Sequence, residues 1–253
     1  MPTAETTTPR APAEFTWKWI DLFLILAGTV LIAFFMIAIF GVWMYFRGAD
    51  PSALSEISIE QSLGLATLES IALIGGVYFF GLLRRRYRWD RVGIKPVSNQ
   101  WLGISLILAI VAIPLTAVIT ILVMLAAGLP LENPQLEFLL PGDLTDLSAF
   151  FMLLLAGVIA PFAEELLFRG VFYTMLKERW GIWPGVLISS FVFGLVHGNF
   201  AIGLTAFLLG ILLAIVFEYS QSLWTAVLIH AINNSSKLAL LYILLKLGFN
   251  LQG

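Results

Sequence analysis

The stretch FMLLLAGVIAPFAEELLFRGVFY, residues 151–173, decides how the rest of the chain is read. It is long and apolar enough to cross a bilayer, which takes about 20 helical residues. Yet it carries Glu164, Glu165 and Arg169. Ionisable groups are costly in hydrocarbon, and those that occur there face an interior or a water-filled cavity. The contrast recurs downstream. The chain's two histidines, His197 in SSFVFGLVHG and His230 in WTAVLIHAINN, both lie in apolar segments.

Working outward, the whole chain has the same character. Of 253 residues, 60% are hydrophobic and 12% charged, and the mean hydropathy is +0.95. A soluble domain carries about a quarter charged residues. The expected fold is all-α: a polytopic integral membrane helical bundle with 7–8 transmembrane helices. A β-barrel would show short period-2 segments instead of long Leu/Ile/Phe runs. Cysteine is absent, which excludes disulfides, thiolate metal sites and a cysteine nucleophile.

The expected spans are Trp17–Phe46, Glu60–Leu83, Trp101–Ala127 with Pro114 as a kink point, Leu147–Tyr173 running on toward Arg179, Trp183–His197 and Phe200–Phe217. The last begins at Leu223. It either continues to Lys246 or breaks around Asn233–Lys237 to give an eighth. Residues 1–16 are polar and Pro/Thr-rich and read as a disordered cytoplasmic tail. The first apolar run is too long for a signal-peptide core, so residues 17–253 form one transmembrane domain, its catalytic core at about 130–240.

Loop 84–95 holds Arg84, Arg85, Arg86, Arg88, Arg91 and Lys95, while loops 47–60 and 128–146 are acidic. Basic loops stay cytoplasmic, so the amino terminus is expected inside. A basic run can also mark nucleic-acid binding, but between spans it reads as a topology signal. The expected partners are the lipid bilayer and a membrane-associated peptide or protein substrate, with no nucleic acid. The expected setting is a prokaryotic plasma membrane.

On an α-helix Glu165 and Arg169 share a face and can pair, whereas Glu164 points about 100° away with no such partner. The two glutamates therefore divide: Glu165 supports, and Glu164 is free for acid–base work. The plainer alternative is one structural salt-bridge cluster. Phe193 and His197 are one turn apart, so the imidazole can orient water or bind metal beside a shielding ring. His230 and Asn234, also i and i+4, can aim two N–H donors at one oxyanion. For an asparagine alone, helix–helix hydrogen bonding is the better explanation; Asn233 is the weaker candidate. Glu69 lies mid-span and either faces a cavity or pairs with Arg169, with a structural role favoured. Ser189 and Ser190 read as packing residues. The GxSxG elbow and zincin HExxH are absent.

Together, Glu-Glu-x-x-x-Arg, Phe-x-x-x-His and His-x-x-x-Asn, in that order on successive apolar segments, resemble the CPBP family. These are the CAAX proteases and bacteriocin-processing enzymes, also called Abi or type II CAAX prenyl endopeptidases. The resemblance covers about residues 130–240; Asn133-Pro134-Gln135 and Phe168-Arg169-Gly170 are similar as well. It implies that Glu164 is the catalytic glutamate, that His197 orients water, and that His230 and Asn234 stabilise the oxyanion. Glu165, Arg169 and Phe193 would support them. The eukaryotic relatives remove the last three residues of prenylated proteins.

Glu164, His197 and His230 also match catalytic zinc chemistry. A single divalent metal such as zinc and a metal-free mechanism both stand, with a lean to the latter. The rival functions are a non-catalytic protein of the same fold, acting in bacteriocin self-immunity or as a scaffold, and a proton-coupled transporter using Glu69, Glu164 and the histidines. Transporters commonly carry repeated halves, and none is visible here. One geometric demand follows from the spans. Glu164 and His197 fall about 10 Å apart in depth, a gap that a tilt, a kink at Pro161 or shifted span ends must close.

Overall fold

A computed structural model describes residues 16–47, 58–130 and 145–248. The tail before residue 16, the Asn133-Pro134-Gln135 motif and most of the acidic loop residues lie outside these. Seven helical segments account for nearly all of the described chain, which contains no strand. They are α1 (Trp19–Phe46), α2 (Ile59–Leu83), α3 (Asn99–Ala126), α4 (Asp146–Trp180), α5 (Ile182–Leu195), α6 (Phe200–Ser220) and α7 (Leu223–Lys246). All but α5 are long and apolar enough to cross a membrane. The protein is an integral membrane helical bundle.

Side-chain caps start several helices at the expected polar residues. Ser58, Ser98 and Thr145 each accept from a backbone N–H one turn on, opening α2, α3 and α4. Asn199 does the same for α6, its Oδ1 accepting from the Ala201 and Ile202 amides at 2.9 and 3.2 Å. Pro114 sits inside an unbroken α3.

Polar contacts hold each end of the bundle. At the basic end, buried Asp21 on α1 pairs with Arg84 and Arg85 at the foot of α2. The Trp17 indole donates to Gly170 O at 3.0 Å, and Arg179 donates to Trp17 O at 2.6 Å. Glu218 of α6 accepts from Lys177 and Tyr173 of α4 at 2.7 and 2.9 Å. The start of α7 is tied to the basic loop, Leu223 N–H donating to Gly93 O at 2.7 Å. At the other end Asp146 meets Lys246 and Tyr242, both at 2.6 Å.

One open alternative is settled, one helix runs on as expected, and one span is corrected. The polar run 233–237 does not break the last segment: α7 is continuous, so there is no eighth span among the described residues. Its polar side chains find carbonyl partners without unwinding the helix. The 151–173 stretch is helical but not uniformly α. Residues Leu155–Ile159 and Phe168–Tyr173 are π-helical, and α4 runs on to Trp180. Finally, the segment expected to span from Trp183 to His197 is only 14 residues long. That is about 21 Å, short of a hydrocarbon core of about 30 Å. The chain turns back at Val196–Asn199, where Gly198 takes φ +70°, a conformation open to glycine without strain. His197 thus sits in a turn within the depth of the bundle.

The returning α6 packs tightly on α5. A Cβ at Gly194 would lie 2.6 Å from Gly203 O, and one at Gly203 would lie 2.7 Å from Gly194 O. Such backbone approach is how membrane helices associate without a hydrophobic driving force. Ser190 packs against Gly210 at the same seam, and Ser189 bonds its own helix at Val186 O. Both serines are packing residues, as expected.

Candidate active site

The site is built where the middle of α4 meets α7 and the inner end of α5. Glu165 is fully buried and Arg169 is 1% exposed. Their i, i+4 spacing yields the expected pair: Arg169 Nη1 donates to Glu165 Oε1 at 3.0 Å, and Nε lies 3.0 Å from Oε2. The guanidinium also donates to Gly210 O at 3.1 Å and lies 4.6 Å from the centre of the Phe193 ring. These contacts spread a buried charge over a carboxylate, a carbonyl and a π-face.

Glu165 does a second thing. Its Oε1 accepts from His230 Nδ1 at 2.9 Å, fixing the ring and leaving Nε2 to face Glu164 Oε2 at 3.8 Å. That Glu164 oxygen is buried and has no hydrogen-bond partner among the described residues. The two adjacent glutamates are thus split as their spacing predicted, one paired with a cation and the other left open. The arrangement adds a condition to the oxyanion expectation. With Nδ1–H committed to Glu165, the neutral His230 ring presents a lone pair at Nε2. Donation from Nε2 requires the imidazolium.

Phe193 is the hub of the pocket. Its ring makes edge contacts with His197 at 5.0 Å, His230 at 5.7 Å and Phe168 at 4.9 Å between centroids. His197 Nδ1 lies 2.7 Å from Phe193 O. A carbonyl only accepts, so Nδ1 donates and Nε2 is the free acceptor of the neutral ring. Glu164 approaches His230 directly, and His197 joins the group through the shared Phe193 ring.

Asn234 lies on α7 one turn beyond His230. Its amide donates to Ala156 O at 3.4 Å and accepts from Asn233 at 3.1 Å. Next to it, Ser235 donates to Gly157 O at 3.2 Å. Both carbonyls belong to the first π-helical stretch of α4, where the wider turn loosens the i→i−4 ladder and frees acceptors. Gly157 is required there, because a Cβ would lie 2.6 Å from Ser235 Oγ. Asn233 is 2% exposed and its Oδ1 is unpartnered among the described residues.

Glu69 does not pair with Arg169, whose donors are taken up as above. It lines a cavity of about 360 Å³ between α1 and α2, with Thr29, Ala33, Ile37, Leu65, Leu68, Ala72 and Leu73. As to metal, no three His, Asp or Glu side chains among the described residues converge as a ligand set. Each histidine has Nδ1 engaged and Nε2 open, an arrangement that also suits a metal ligand.

Residues 146–236 match the family model for type II CAAX prenyl endopeptidases, Rce1-like. A little over a third of the chain is thus Rce1-like. The match falls on the segment bearing the Glu-Glu, Phe-His and His-Asn motifs, and it supports their resemblance to the CPBP/CAAX protease family. Two relatives are similar over 84 and 148 residues. The provisionally named membrane peptidase YdiL of Bacillus subtilis (strain 168) is 26% identical over 84 residues, 33% of this chain and 34% of that protein. An uncharacterized 24.3 kDa protein of Escherichia coli is 28% identical over 148 residues, 56% of this chain and 66% of that one. The chain therefore spans less than two thirds of each. No solved structure matches.

Proposed function

We propose that this protein is an intramembrane endopeptidase that hydrolyses a peptide bond of a membrane-associated substrate with a glutamate-activated water. The observation that carries this reading is the unpartnered, buried Oε2 of Glu164, 3.8 Å from a His230 nitrogen whose opposite side is clamped by Glu165. An open carboxylate beside two oriented imidazoles is a set of proton acceptors and donors aimed at one small volume.

In this mechanism Glu164 takes a proton from water while His197 Nε2 holds the water's other O–H. The hydroxide adds to the scissile carbonyl carbon. The oxyanion is met by Asn234 and by Nε2–H of the His230 imidazolium, held in place by Glu165. As the C–N bond breaks, Glu164 returns its proton to the leaving nitrogen. Arg169 and Phe193 hold the constellation rigid. No metal is needed in this scheme, in which the engaged Nδ1 atoms fix each ring with Nε2 turned to the water or the oxyanion. The basic end, with Arg84–Arg91, faces the cytoplasm.

The test uses purified protein in lipid nanodiscs with a library of acyl-anchored fluorogenic peptides. Wild type cleaves a subset, with or without a chelator. Glu164→Gln and His197→Ala abolish cleavage at unchanged thermal stability. Cleavage retained by Glu164→Gln overturns the assignment. A folded wild type that cleaves nothing, while the Glu164→Gln cell keeps its phenotype, points to a non-catalytic binding role instead.

A further inference from the structure

The basic end of the bundle carries more cations than the fold uses. Asp21 takes Arg84 and Arg85, Glu218 takes Lys177, and Glu178 accepts from the Thr16 N–H at 2.8 Å. The loop after α2 is left with Arg86, Arg88, Arg91 and Lys95, all exposed. Neither Arg86 nor Arg88 has a carboxylate partner among the described residues, and Arg91 lies 5.5 Å from the centre of the Tyr87 ring. Asp90 is the loop's single acid.

These side chains stand on a built scaffold. The Arg91 N–H donates to Arg88 O at 3.0 Å, which folds the two arginines across one turn. The Tyr87 hydroxyl donates to Thr16 O at 3.1 Å. Val92 is fully buried against Gly170 of α4, where a Cβ would lie 2.9 Å from Val92 O. The Gly93 and Lys95 carbonyls accept from Leu223 N–H and Ser222 Oγ at 2.7 and 2.8 Å, at the start of α7. Arg86 holds φ +55°, a left-handed conformation that glycine adopts without strain and arginine does not. The fold thus bears a cost at Arg86 and makes no ion pair with its guanidinium.

Indoles fix the depth of this loop. Trp89 is exposed and stacks on Tyr78 at 5.6 Å. Trp19, Trp180 and Trp183 are exposed at the same end, the first two in contact at 5.9 Å. Tryptophans so placed mark the headgroup layer. The unused cations therefore stand at the level of lipid phosphates, where anionic lipid attracts basic segments beside spans. Guanidinium pairs with phosphate through charge-assisted, often bidentate bonds. We propose that Arg86, Arg88 and Arg91 form a binding site for the headgroup phosphate of an anionic phospholipid. Because the loop is tied to α4 beside Arg169 and to the start of α7, a bound headgroup braces the helices that carry Glu165 and His230. The site stands whether or not the protein cleaves peptides.

The test places the full-length protein in phosphatidylcholine nanodiscs holding a trace of acyl-dansylated phosphatidylglycerol or acyl-dansylated phosphatidylcholine. Energy transfer from tryptophan reports which label gathers at the protein. The anionic label associates about tenfold or more tightly, and phosphatidylglycerol as host lipid raises the melting temperature, as a ligand of the folded chain does. Arg86→Gly alone weakens the preference about fivefold while the protein melts no earlier, since glycine relieves the left-handed backbone. Arg86→Gln, Arg88→Gln and Arg91→Gln together bring the ratio near one, with Arg84 and Arg85 still pairing Asp21. Arg47→Gln, at the opposite end, leaves it unchanged. Equal association of the two labels overturns the site, as does a preference that survives the triple variant or falls equally in Arg47→Gln. Displacement of the anionic label by millimolar inorganic phosphate at constant ionic strength would make a soluble anion the ligand and also overturns it. So does a preference that emerges only when Glu5 and Glu14 of the amino-terminal tail are changed to Gln, because the tail would then be the occupant.

Discussion

Glu165→Gln separates two jobs that one side chain performs. The carboxylate neutralises Arg169, which is 1% exposed, and it orients His230 through a 2.9 Å bond. Glutamine keeps the shape and an acceptor but removes the charge. Stripping one partner from a buried ion pair costs about 3–5 kcal/mol, because the remaining charge is left uncompensated. The Gly210 carbonyl and the Phe193 ring still face the guanidinium, so the lower end, about 3 kcal/mol, is expected. At roughly 2–4 °C per kcal/mol for a chain of this size, the melting temperature in nanodiscs falls by about 6–12 °C.

Adding Arg169→Met removes the orphaned cation. The double variant should recover most of the lost stability, since neutral replacement of a buried pair is often close to neutral. Activity behaves differently. His230 has lost its anionic acceptor in both variants, and loss of an orienting partner costs about 10–100-fold. The expected pattern is therefore stability restored and catalysis still impaired. A double variant no more stable than Glu165→Gln would show that Arg169 is not neutralised by Glu165. A double variant with full activity would show that the Glu165–His230 bond orients nothing.

Two further variants test other parts of the site. Asn234→Ala removes one oxyanion donor and should lower kcat by about 10²–10³-fold with little change in KM; a change confined to KM would instead make Asn234 a binding or packing residue. Gly194→Val drives a side chain against the backbone carbonyl of Gly203, where the nearest atom is 2.6 Å from the added Cβ. Overpacking costs about 1–3 kcal/mol, so the variant should melt earlier, and retention of wild-type stability would mean that the α5–α6 seam is not tightly closed.

Most of the fold could be read because hydrocarbon imposes a simple rule: about 20 apolar residues in a row. That rule failed where polarity and length pulled apart. The polar run Asn233–Lys237 looked like a break, but Asn234 and Ser235 bond to Ala156 O and Gly157 O, and Ser236 bonds back to Ile232 O. Those acceptors exist because α4 is π-helical at 155–159, and one extra residue in a turn leaves no pattern in the side chains. The shortness of α5 was better marked. Gly198 and the Asn199 cap are ordinary turn signals, masked by the apolar residues on both sides. Glu69 stayed open between two readings because a single mid-span carboxylate gives no hint of whether its neighbour is an arginine or a cavity.

The site's pairing logic was legible for a different reason: i, i+4 geometry is local and survives whatever the tertiary fold does. Glu165–Arg169 follows from helix geometry alone, and Phe193–His197 keeps contact although α5 ends before His197. What no single helix determines is the link between them, which the fold supplies through His230. Because Glu165 holds one nitrogen of that ring, the other is left for Glu164, and the adjacent glutamates acquire opposite surroundings although they are neighbours in sequence. A change at Glu165 therefore alters the ring that Glu164 faces, whereas a change at Glu164 leaves the Glu165–Arg169 pair intact. This asymmetry requires Glu164→Gln to lose chemistry without losing stability and Glu165→Gln to lose both. If the two substitutions behaved alike, the division of roles between the two carboxylates would be wrong.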